Sequence, residues 1–254
     1  MKTFEENSLE LIKESIDLNI NIWEDSDAKH FHNKKTDATC AVKVRDNNLF
    51  IVYKYSDNPI DWKYNFKFYP KKVKLGTIGK SLRIHRGHYY QYISLINEIE
   101  KYTEGLLVQS EFENVVFTGF SLGGSICQIG AWDFLKTNPS LKDKLHCYSF
   151  GASNPGNKEF ARQFNEIPFV ERVVYNRDPV PILPPRMFGY SRTKNPVLIK
   201  KENGEYKFLS ENRTLPQNAK ILSRTVYSKL FNKENKDWKD HSLKKIKNAF
   251  KLLN

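Results

Sequence analysis

The stretch NVVFTGFSLGGSICQIGA, residues 114–131, decides the fold. Its apolar, β-branched residues 115–118 predict a buried strand, and the apolar residues after the Gly-Gly pair predict a helix. Between strand and helix stands Ser121 in the pattern G-x-S-x-G, which holds a serine on a sharp turn at the end of a strand. Gly119 and Gly123 suit this turn because a Cβ two residues from the serine would collide across it. The stretch therefore predicts that Ser121 is an exposed nucleophile.

Strand and helix patterns alternate on both sides of this turn. The predicted elements are a helix at residues 1–20, a hairpin at 40–55, a helix at 87–109, a strand at 147–150, a helix at 157–165 and a strand at 171–175. About the last 60 residues give no clear pattern. Strands that alternate with helices are typical of a mostly parallel sheet flanked by helices. The length fits one large domain, so we expect a single α/β domain over residues 1–254.

The positive charge of the chain is concentrated in a basic C-terminal region, residues 191–254. This region holds 16 Lys and Arg against 6 Asp and Glu, whereas the whole chain holds 41 against 29. Such a region attracts nucleic acid or anionic lipid headgroups. Lysine outnumbers arginine 31 to 10, although arginine is the residue best suited to bidentate contacts with bases and phosphates. We therefore expect no nucleic-acid partner and keep peripheral contact with an anionic membrane surface as a hypothesis.

Several classes of protein are disfavoured by what the sequence lacks. No apolar run reaches the ~18 residues of a membrane span, and the first residues, MKTFEENSLELIKES, lack the basic and apolar segments of a signal peptide. Cys40, Cys127 and Cys147 are too few and too far apart for a disulfide framework or a thiolate zinc site. His85 and His88 have no carboxylates nearby in sequence, so we expect no metal site. The expected location is cytoplasmic or peripheral to membranes.

A serine hydroxyl becomes a good nucleophile only when a neighbouring base takes its proton, and an acid must orient that base. For a serine on a strand-to-helix turn, the order along the chain is serine, then Asp or Glu, then histidine. His146 and His241 are the histidines that follow Ser121. His146 comes before the next predicted strand, away from the carboxyl ends of the strands. His241 is therefore the predicted base.

The acid is predicted in the loop after the strand at residues 171–175. Asp178 lies there, and active groups of open α/β sheets gather beyond the carboxyl ends of the strands. Asp237 and Asp240, close to the predicted base in sequence, remain alternatives. The helix after the serine begins with free N–H groups at its positive end, so the N–H of Leu122 is a predicted donor to an oxyanion.

Four blocks of residues resemble the class 3, or fungal-type, lipases of the α/β-hydrolase superfamily. They are LFIVYKYS at 49–56 with Asp61-Trp62, RIHRGHYYQY at 83–92, the turn at 115–124, and YSFGASNPGN at 148–157; residues 174–185 are similar to the segment that carries the catalytic aspartate of the family. The resemblance implies an α/β-hydrolase fold and a serine hydrolase that cleaves carboxylic esters of lipids through an acyl-enzyme. It implies a triad of Ser121, Asp178 and His241, without metal or cofactor.

The same resemblance implies a second oxyanion donor and a lid. Ser56 stands at the family position that supplies the second N–H, and residues 57–66 correspond to the lid, in which Ile60, Trp62 and Phe66 would cover the site. Three positions depart from the family pattern: Tyr55 replaces a glycine, Lys54 an arginine, and Phe120 a histidine. Two other functions remain open. One is a phospholipase or lysophospholipase, favoured by the basic C-terminal region; the other is a catalytically silent α/β-hydrolase scaffold that binds lipid.

Overall fold

A twisted sheet with helices on both faces organises the protein, as seen in a computed structural model that describes residues 2–55, 70–72, 82–230 and 236–253. The strands are β1 Lys29–Asn33, β2 Ala38–Arg45, β3 Asn48–Tyr53, β4 Pro70–Lys72, β5 Arg83–His85, β6 Asn114–Phe120, β7 Leu145–Phe150, β8 Phe169–Tyr175, β9 Pro196–Glu202 and β10 Glu205–Leu209. The helices are α1 Glu6–Asn21, α2 Arg86–Ile93, α3 Ile96–Gln109, α4 Leu122–Thr137, α5 Lys158–Phe164, α6 Leu215–Leu230 and α7 Leu243–Phe250. Short 3₁₀ helices cover Ile22–Glu24, Pro139–Lys144, Val180–Ile182, Arg186–Phe188 and Lys236–Asp240.

The main sheet has eight strands in the order β1-β2-β3-β6-β7-β8-β9-β10. Its five central strands, from β3 to β9, pair in parallel, and the strands at both edges pair antiparallel. β4 and β5 form a separate antiparallel pair. The mostly parallel sheet expected from the sequence is confirmed. Because parallel strands end at one edge, the segments that follow β6, β7 and β8 emerge side by side.

Both faces of the sheet are buried, so its central strands are mostly apolar. In β3, Leu49 and Ile51 contribute to the core beneath α2, α3, α4 and α5, whereas Phe50 and Val52 contribute to the core beneath α1 and α7. The alternation of side chains along a strand produces this division. A buried hydrogen bond of 2.9 Å from Asn19 Nδ2 to Thr118 Oγ1 fixes α1 against β6.

The helix predicted at residues 87–109 is two helices, and the prediction of one is wrong. The break falls between α2 and α3, where Ser94 makes side-chain hydrogen bonds instead of continuing the helix. Its hydroxyl donates to the carbonyl of Gln91 at 2.8 Å and lies 2.7 Å from Thr36 Oγ1. The carbonyl of Ser94 accepts a hydrogen bond from Asn33 Nδ2 at 3.1 Å. Side-chain hydrogen bonds of serine compete with helix formation in this way.

The C-terminal part of the chain, which has no clear sequence pattern, adds two strands and two helices. β9 and β10 form a hairpin around Asn203 and Gly204, whose φ angles are 51° and 90°. Asn-Gly is the residue pair that favours two positive φ angles in a two-residue hairpin turn. The helix that follows closes its first turn with reciprocal bonds between Thr214 and Gln217. None of the described helices is long and apolar enough to cross a membrane.

Candidate active site

The turn between β6 and α4 holds Ser121 in a conformation that most residues avoid. Its φ and ψ are 57° and −120°, which costs on the order of 1–3 kcal/mol and persists only where the surroundings enforce it. A Cβ on Gly119 would lie 2.3 Å from the carbonyl of Gly123, and a Cβ on Gly123 would lie 2.1 Å from the carbonyl oxygen of Tyr53. The backbone N–H of Ser121 donates to the carbonyl of Phe150 at 2.9 Å. The turn is therefore fixed against the ends of both neighbouring strands.

Three side chains from distant parts of the sequence form one hydrogen-bonded chain at this turn. Ser121 Oγ lies 2.8 Å from His241 Nε2, and His241 Nδ1 lies 2.9 Å from Asp178 Oδ2. Asp178 is completely buried, and the imidazole is 15% exposed. With the Nδ1 proton donated to the carboxylate, Nε2 is the nitrogen that accepts from the serine hydroxyl. The arrangement joins a hydroxyl, an imidazole and a carboxylate in the order that acyl transfer by a serine requires.

The loop after β8 positions the aspartate. Asp178 Oδ1 accepts a hydrogen bond from the N–H of Val180 at 2.9 Å, and the N–H of Asp178 donates to the carbonyl of Tyr175 at 2.9 Å. Gly151, at the end of β7, has a φ of 53°. A Cβ there would lie 2.9 Å from Asp178 Oδ2 and 3.2 Å from His241 Cε1. Gly151 thus leaves the space in which the carboxylate meets the imidazole, a role that the sequence patterns did not indicate.

Aromatic rings hold the imidazole in place. Phe120 stacks on His241 with ring centroids 4.6 Å apart and planes 22° apart, and Trp238 approaches it edge-on at 6.5 Å. The N–H of His241 also donates to the carbonyl of Trp238 at 3.0 Å. Tyr55 in turn packs edge-to-face against Phe120 at 5.8 Å. Phe120 and Tyr55, two positions that depart from the family pattern, therefore support the imidazole and each other.

The two alternative acids lie elsewhere and tie the loop of the imidazole to the loop of Asp178. Asp240 Oδ2 accepts from Asn176 Nδ2 at 2.9 Å and from the N–H of Arg177 at 3.2 Å, and its Oδ1 accepts from Lys245 Nζ at 3.0 Å. Asp237 forms ion pairs with Arg177 and Arg224 at 3.4 and 3.5 Å. Asp237 and Asp240 were considered because they lie close to His241 in sequence. That proximity did not predict the contacts that they make.

The remaining predicted site residues are only partly described. Leu122 is buried and is the first residue of α4, so its N–H has no acceptor within the helix. It lines one cavity together with Tyr53, Lys54 and Tyr55, the end of β3 and the residues that follow it. The predicted oxyanion residue Ser56 and the predicted lid residues, Ile60, Trp62 and Phe66, lie outside the described residues.

His146 and the pair His85 and His88 lie away from the serine. His146 is the second residue of β7, which is two residues longer at its start than predicted, and its Nδ1 is 2.7 Å from Tyr148 Oη. His85 and His88 are buried and stack with ring centroids 3.7 Å apart. In the described ranges, no three His, Cys, Asp or Glu side chains form a group that would hold a metal ion.

Comparison with known proteins identifies the family. The family model described as "Lipase (class 3)" matches residues 50–188, which is more than half of the chain, and the protein belongs to this family. The lipase of Rhizopus niveus is 32% identical over 114 residues, covering 44% of this chain and 29% of that protein. The secreted mono- and diacylglycerol lipase MDL3 of Malassezia globosa is 29% identical over 157 residues, covering 58% of this chain and 46% of that protein. The chain spans less than half the length of these curated relatives.

Solved structures show the same fold. A lipase propeptide complex of Rhizomucor miehei superposes with a TM-score of 0.70 over 82% of this chain and 73% of that chain, at 22% identity. The α/β-hydrolase fold expected from the sequence is confirmed.

The Malassezia relative is named as a secreted enzyme, and it contradicts the expected cytoplasmic location. That prediction is wrong.

Proposed function

We propose that the protein is a serine hydrolase that cleaves carboxylic esters of lipids through an acyl-enzyme. The observation that carries this proposal is the hydrogen-bonded chain from Ser121 Oγ through both nitrogens of His241 to the buried Asp178. The proposal assigns the roles of nucleophile, general base and orienting acid to these residues in that order. Membership of the class 3 lipase family supports the same reaction and a lipid ester as substrate.

Acylation follows from the geometry. Ser121 Oγ attacks the carbonyl carbon of the ester while its proton passes to His241 Nε2. Asp178 stabilises the resulting imidazolium through the hydrogen bond at Nδ1, and Phe120 remains stacked on the face of the ring. The carbonyl oxygen becomes an oxyanion, and the N–H of Leu122 at the positive end of α4 donates to it. When the tetrahedral intermediate collapses, the alcohol leaves with the proton from Nε2 and the acyl group stays on Ser121.

Deacylation repeats these steps with water. A water molecule gives a proton to His241 Nε2 as its oxygen attacks the acyl carbon, and the second intermediate collapses to release the carboxylic acid. The proton returns to Ser121 Oγ. On the strength of family membership, the proposal extends to Ser56 as the second N–H donor and to Ile60, Trp62 and Phe66 as lid residues.

A lipid ester is located in a lipid surface, and we include peripheral contact of the protein with that surface in the proposal. Met187 and Phe188 are 81% and 57% exposed, beside the exposed Arg186, in the 3₁₀ helix Arg186–Phe188. They lie on the connection between β8 and β9, which also carries Asp178. Exposed apolar side chains beside a cation suit an interface of acyl chains and anionic headgroups.

A fluorophosphonate probe tests the reaction directly because it modifies only an activated serine. The wild-type protein should be labelled and should hydrolyse p-nitrophenyl esters, and Ser121→Ala should lose both activities. Ser125→Ala is the control, since Ser125 lies on the same helix and bonds to Ser153 instead of to the imidazole. Folded wild-type protein that takes no label would favour the silent scaffold. Faster hydrolysis of phosphatidylcholine than of acylglycerols would favour the phospholipase.

A further inference from the structure

Three arginines converge beside the sheet, and none of them belongs to the hydrogen-bonded chain of Ser121, His241 and Asp178. This arginine cluster consists of Arg172 in β8, Arg192 in the segment before β9, and Arg213 in the segment after β10. Together with Asn212 they line one narrow cavity. The guanidinium groups therefore reach one small space from three separate segments of the chain.

The cluster has too few acceptors for its charge. Arg172 and Arg213 are only 4% and 8% exposed. Arg172 Nη2 donates to Asn212 Oδ1, but Arg172 Nε and Arg213 Nη1 have no hydrogen-bond partner among the described residues. Glu211 also lines the cavity, and its carboxylate forms an ion pair with Lys200 at 3.4 Å. Buried guanidinium groups are normally paired, so these two unsatisfied nitrogens point to an absent acceptor.

The pKa values of the buried arginines also indicate that their charge is poorly compensated. Burial, together with the charges of Arg192 and Arg213, lowers the pKa of Arg172 to about 9. Burial and the charge of Arg192 lower the pKa of Arg213 to about 10, while the charges of Asp178, Asp237 and Asp240 oppose the decrease. The three cations repel one another in a poorly solvated space, and an anion bound between them would remove that repulsion.

We propose that the arginine cluster is a binding site for a small oxyanion of the phosphate class. Three guanidinium groups from three segments offer more donors than the two oxygens of a carboxylate accept, whereas a tetrahedral dianion has four oxygens and two negative charges. The narrow cavity excludes a ligand as large as a nucleotide. Free phosphate and the phosphate of a lipid headgroup share this chemistry.

Occupation of the site would affect the loop that carries the catalytic acid. Pro181, three residues after Asp178, lines the same cavity, and the charge of Arg213 acts on Asp178. An anion that holds Arg172, Arg192 and Arg213 together would hold this loop against β8 and β9. The site is thus a stabilising element of the fold.

Thermal unfolding of the full chain tests the proposal, with sodium phosphate compared with sodium chloride and sodium acetate at equal ionic strength and pH. Phosphate at about 100 times its Kd should raise the Tm by about 5–10 °C. Arg192→Gln at the half-buried rim should remove this rise. Arg172→Met should also remove it, and its Tm without phosphate should equal or exceed that of the wild type because a buried uncompensated charge is gone. Arg45→Gln, an exposed arginine on β2, should keep the full rise.

A second measurement identifies the source of the phosphate. Co-sedimentation with phosphatidylglycerol vesicles is compared for wild type, Arg192→Gln and Arg45→Gln. Vesicle binding that depends on Arg192, without an effect of free phosphate on the Tm, supports a lipid headgroup as the ligand; a phosphate-dependent Tm supports the free anion. The proposal fails if neither effect depends on Arg192 or Arg172. It also fails if acetate raises the Tm as much as phosphate does.

Discussion

Asp178 and Asp240 both help to place His241, but they act on different parts of it. Asp178 contacts the imidazole directly. Asp240 instead accepts hydrogen bonds from Asn176 and Arg177, and so fixes the loop on which His241 lies. We expect Asp178→Asn to lower kcat for ester hydrolysis about 10³–10⁴-fold, because an amide favours the wrong tautomer of the imidazole. Asp240→Asn keeps an oxygen acceptor, so its kcat should stay within about tenfold of the wild type. Steady-state kinetics on one soluble ester distinguishes the two, and a larger loss in Asp240→Asn would contradict the assignment.

The sequence predicted the members of this hydrogen-bonded chain better than their surroundings. Ser121 has a local signal, because a strained turn between strand and helix imposes glycines at fixed spacing. Asp178 and His241 have almost no local signal and were found from their order along the chain. The stacking of Phe120 on the imidazole and the space left by Gly151 depend on contacts between distant segments. No periodicity or spacing within one segment encodes such contacts.

Buried His146 gives the stability of the protein a dependence on pH. Burial lowers the pKa of His146 to about 4, from about 6.5 for a solvated histidine. Between these values the unfolded chain binds the proton and the folded protein does not. The free energy of unfolding should therefore fall as the pH falls from about 6.5 to about 4, by up to about 3 kcal/mol.

Urea unfolding at pH 7.0 and pH 5.0 measures this effect in the wild type and in His146→Gln. The glutamine side chain does not titrate, so the decrease between the two pH values should be smaller in the variant. His30→Gln is the control because His30 is exposed at the edge strand β1. An undiminished decrease in His146→Gln would show that the pH dependence arises from other groups.

At the scale of elements, the sequence predicted the strands and helices that have a local hydrophobic pattern. It did not predict the features that depend on contacts between distant residues. The hairpin of β2 and β3 and the alternation around β6 were predicted because apolar residues recur with the spacing of strands and helices. The break between α2 and α3 was missed because Ser94 bonds to Thr36, a residue 58 positions away. The hairpin of β9 and β10 was missed although Asn203-Gly204 is a strong turn signal.

The close approach of β3 and α4 makes Gly123 the least replaceable residue of that contact. A Cβ there would lie 2.1 Å from the carbonyl oxygen of Tyr53, so Gly123→Ala must separate the helix from the strand. We expect a loss of about 1–3 kcal/mol in the free energy of unfolding, or more if neither element can move. Gly105→Ala in α3 is the matched control because no atom lies within 4 Å of its added Cβ.

The control should be stabilised by roughly 0.5–1 kcal/mol, since alanine favours a helix interior over glycine. Urea unfolding of both variants gives the comparison. Gly123→Ala that fails to accumulate as folded protein agrees with the expectation, provided that Gly105→Ala accumulates normally. A Gly123→Ala protein as stable as the wild type would mean that β3 and α4 adjust freely.

At the scale of the whole molecule, the basic C-terminal region does not behave as one positive surface. Lys200, Lys207, Lys245 and Lys247 each form an ion pair with a nearby carboxylate. The arginine cluster lies in the interior, beside the sheet. These pairs place negative charge among the lysines, but three of the four carboxylates belong to the same region, so most of its net positive charge remains. Contact with a lipid surface then also depends on how apolar residues are exposed.

Met187 and Phe188 therefore provide the test of that contact. Burying one such side chain in an apolar phase contributes about 1.5–3 kcal/mol, so replacing both should weaken binding to lipid vesicles at least about tenfold. The double variant Met187→Ser, Phe188→Ser should hydrolyse a short soluble ester at the wild-type rate and an emulsified long-chain ester much more slowly. Val108→Ser is the control, since Val108 is 87% exposed near the end of α3. Equal losses in both proteins, or full activity of the double variant on the emulsion, would show that the lipid surface meets another part of the molecule.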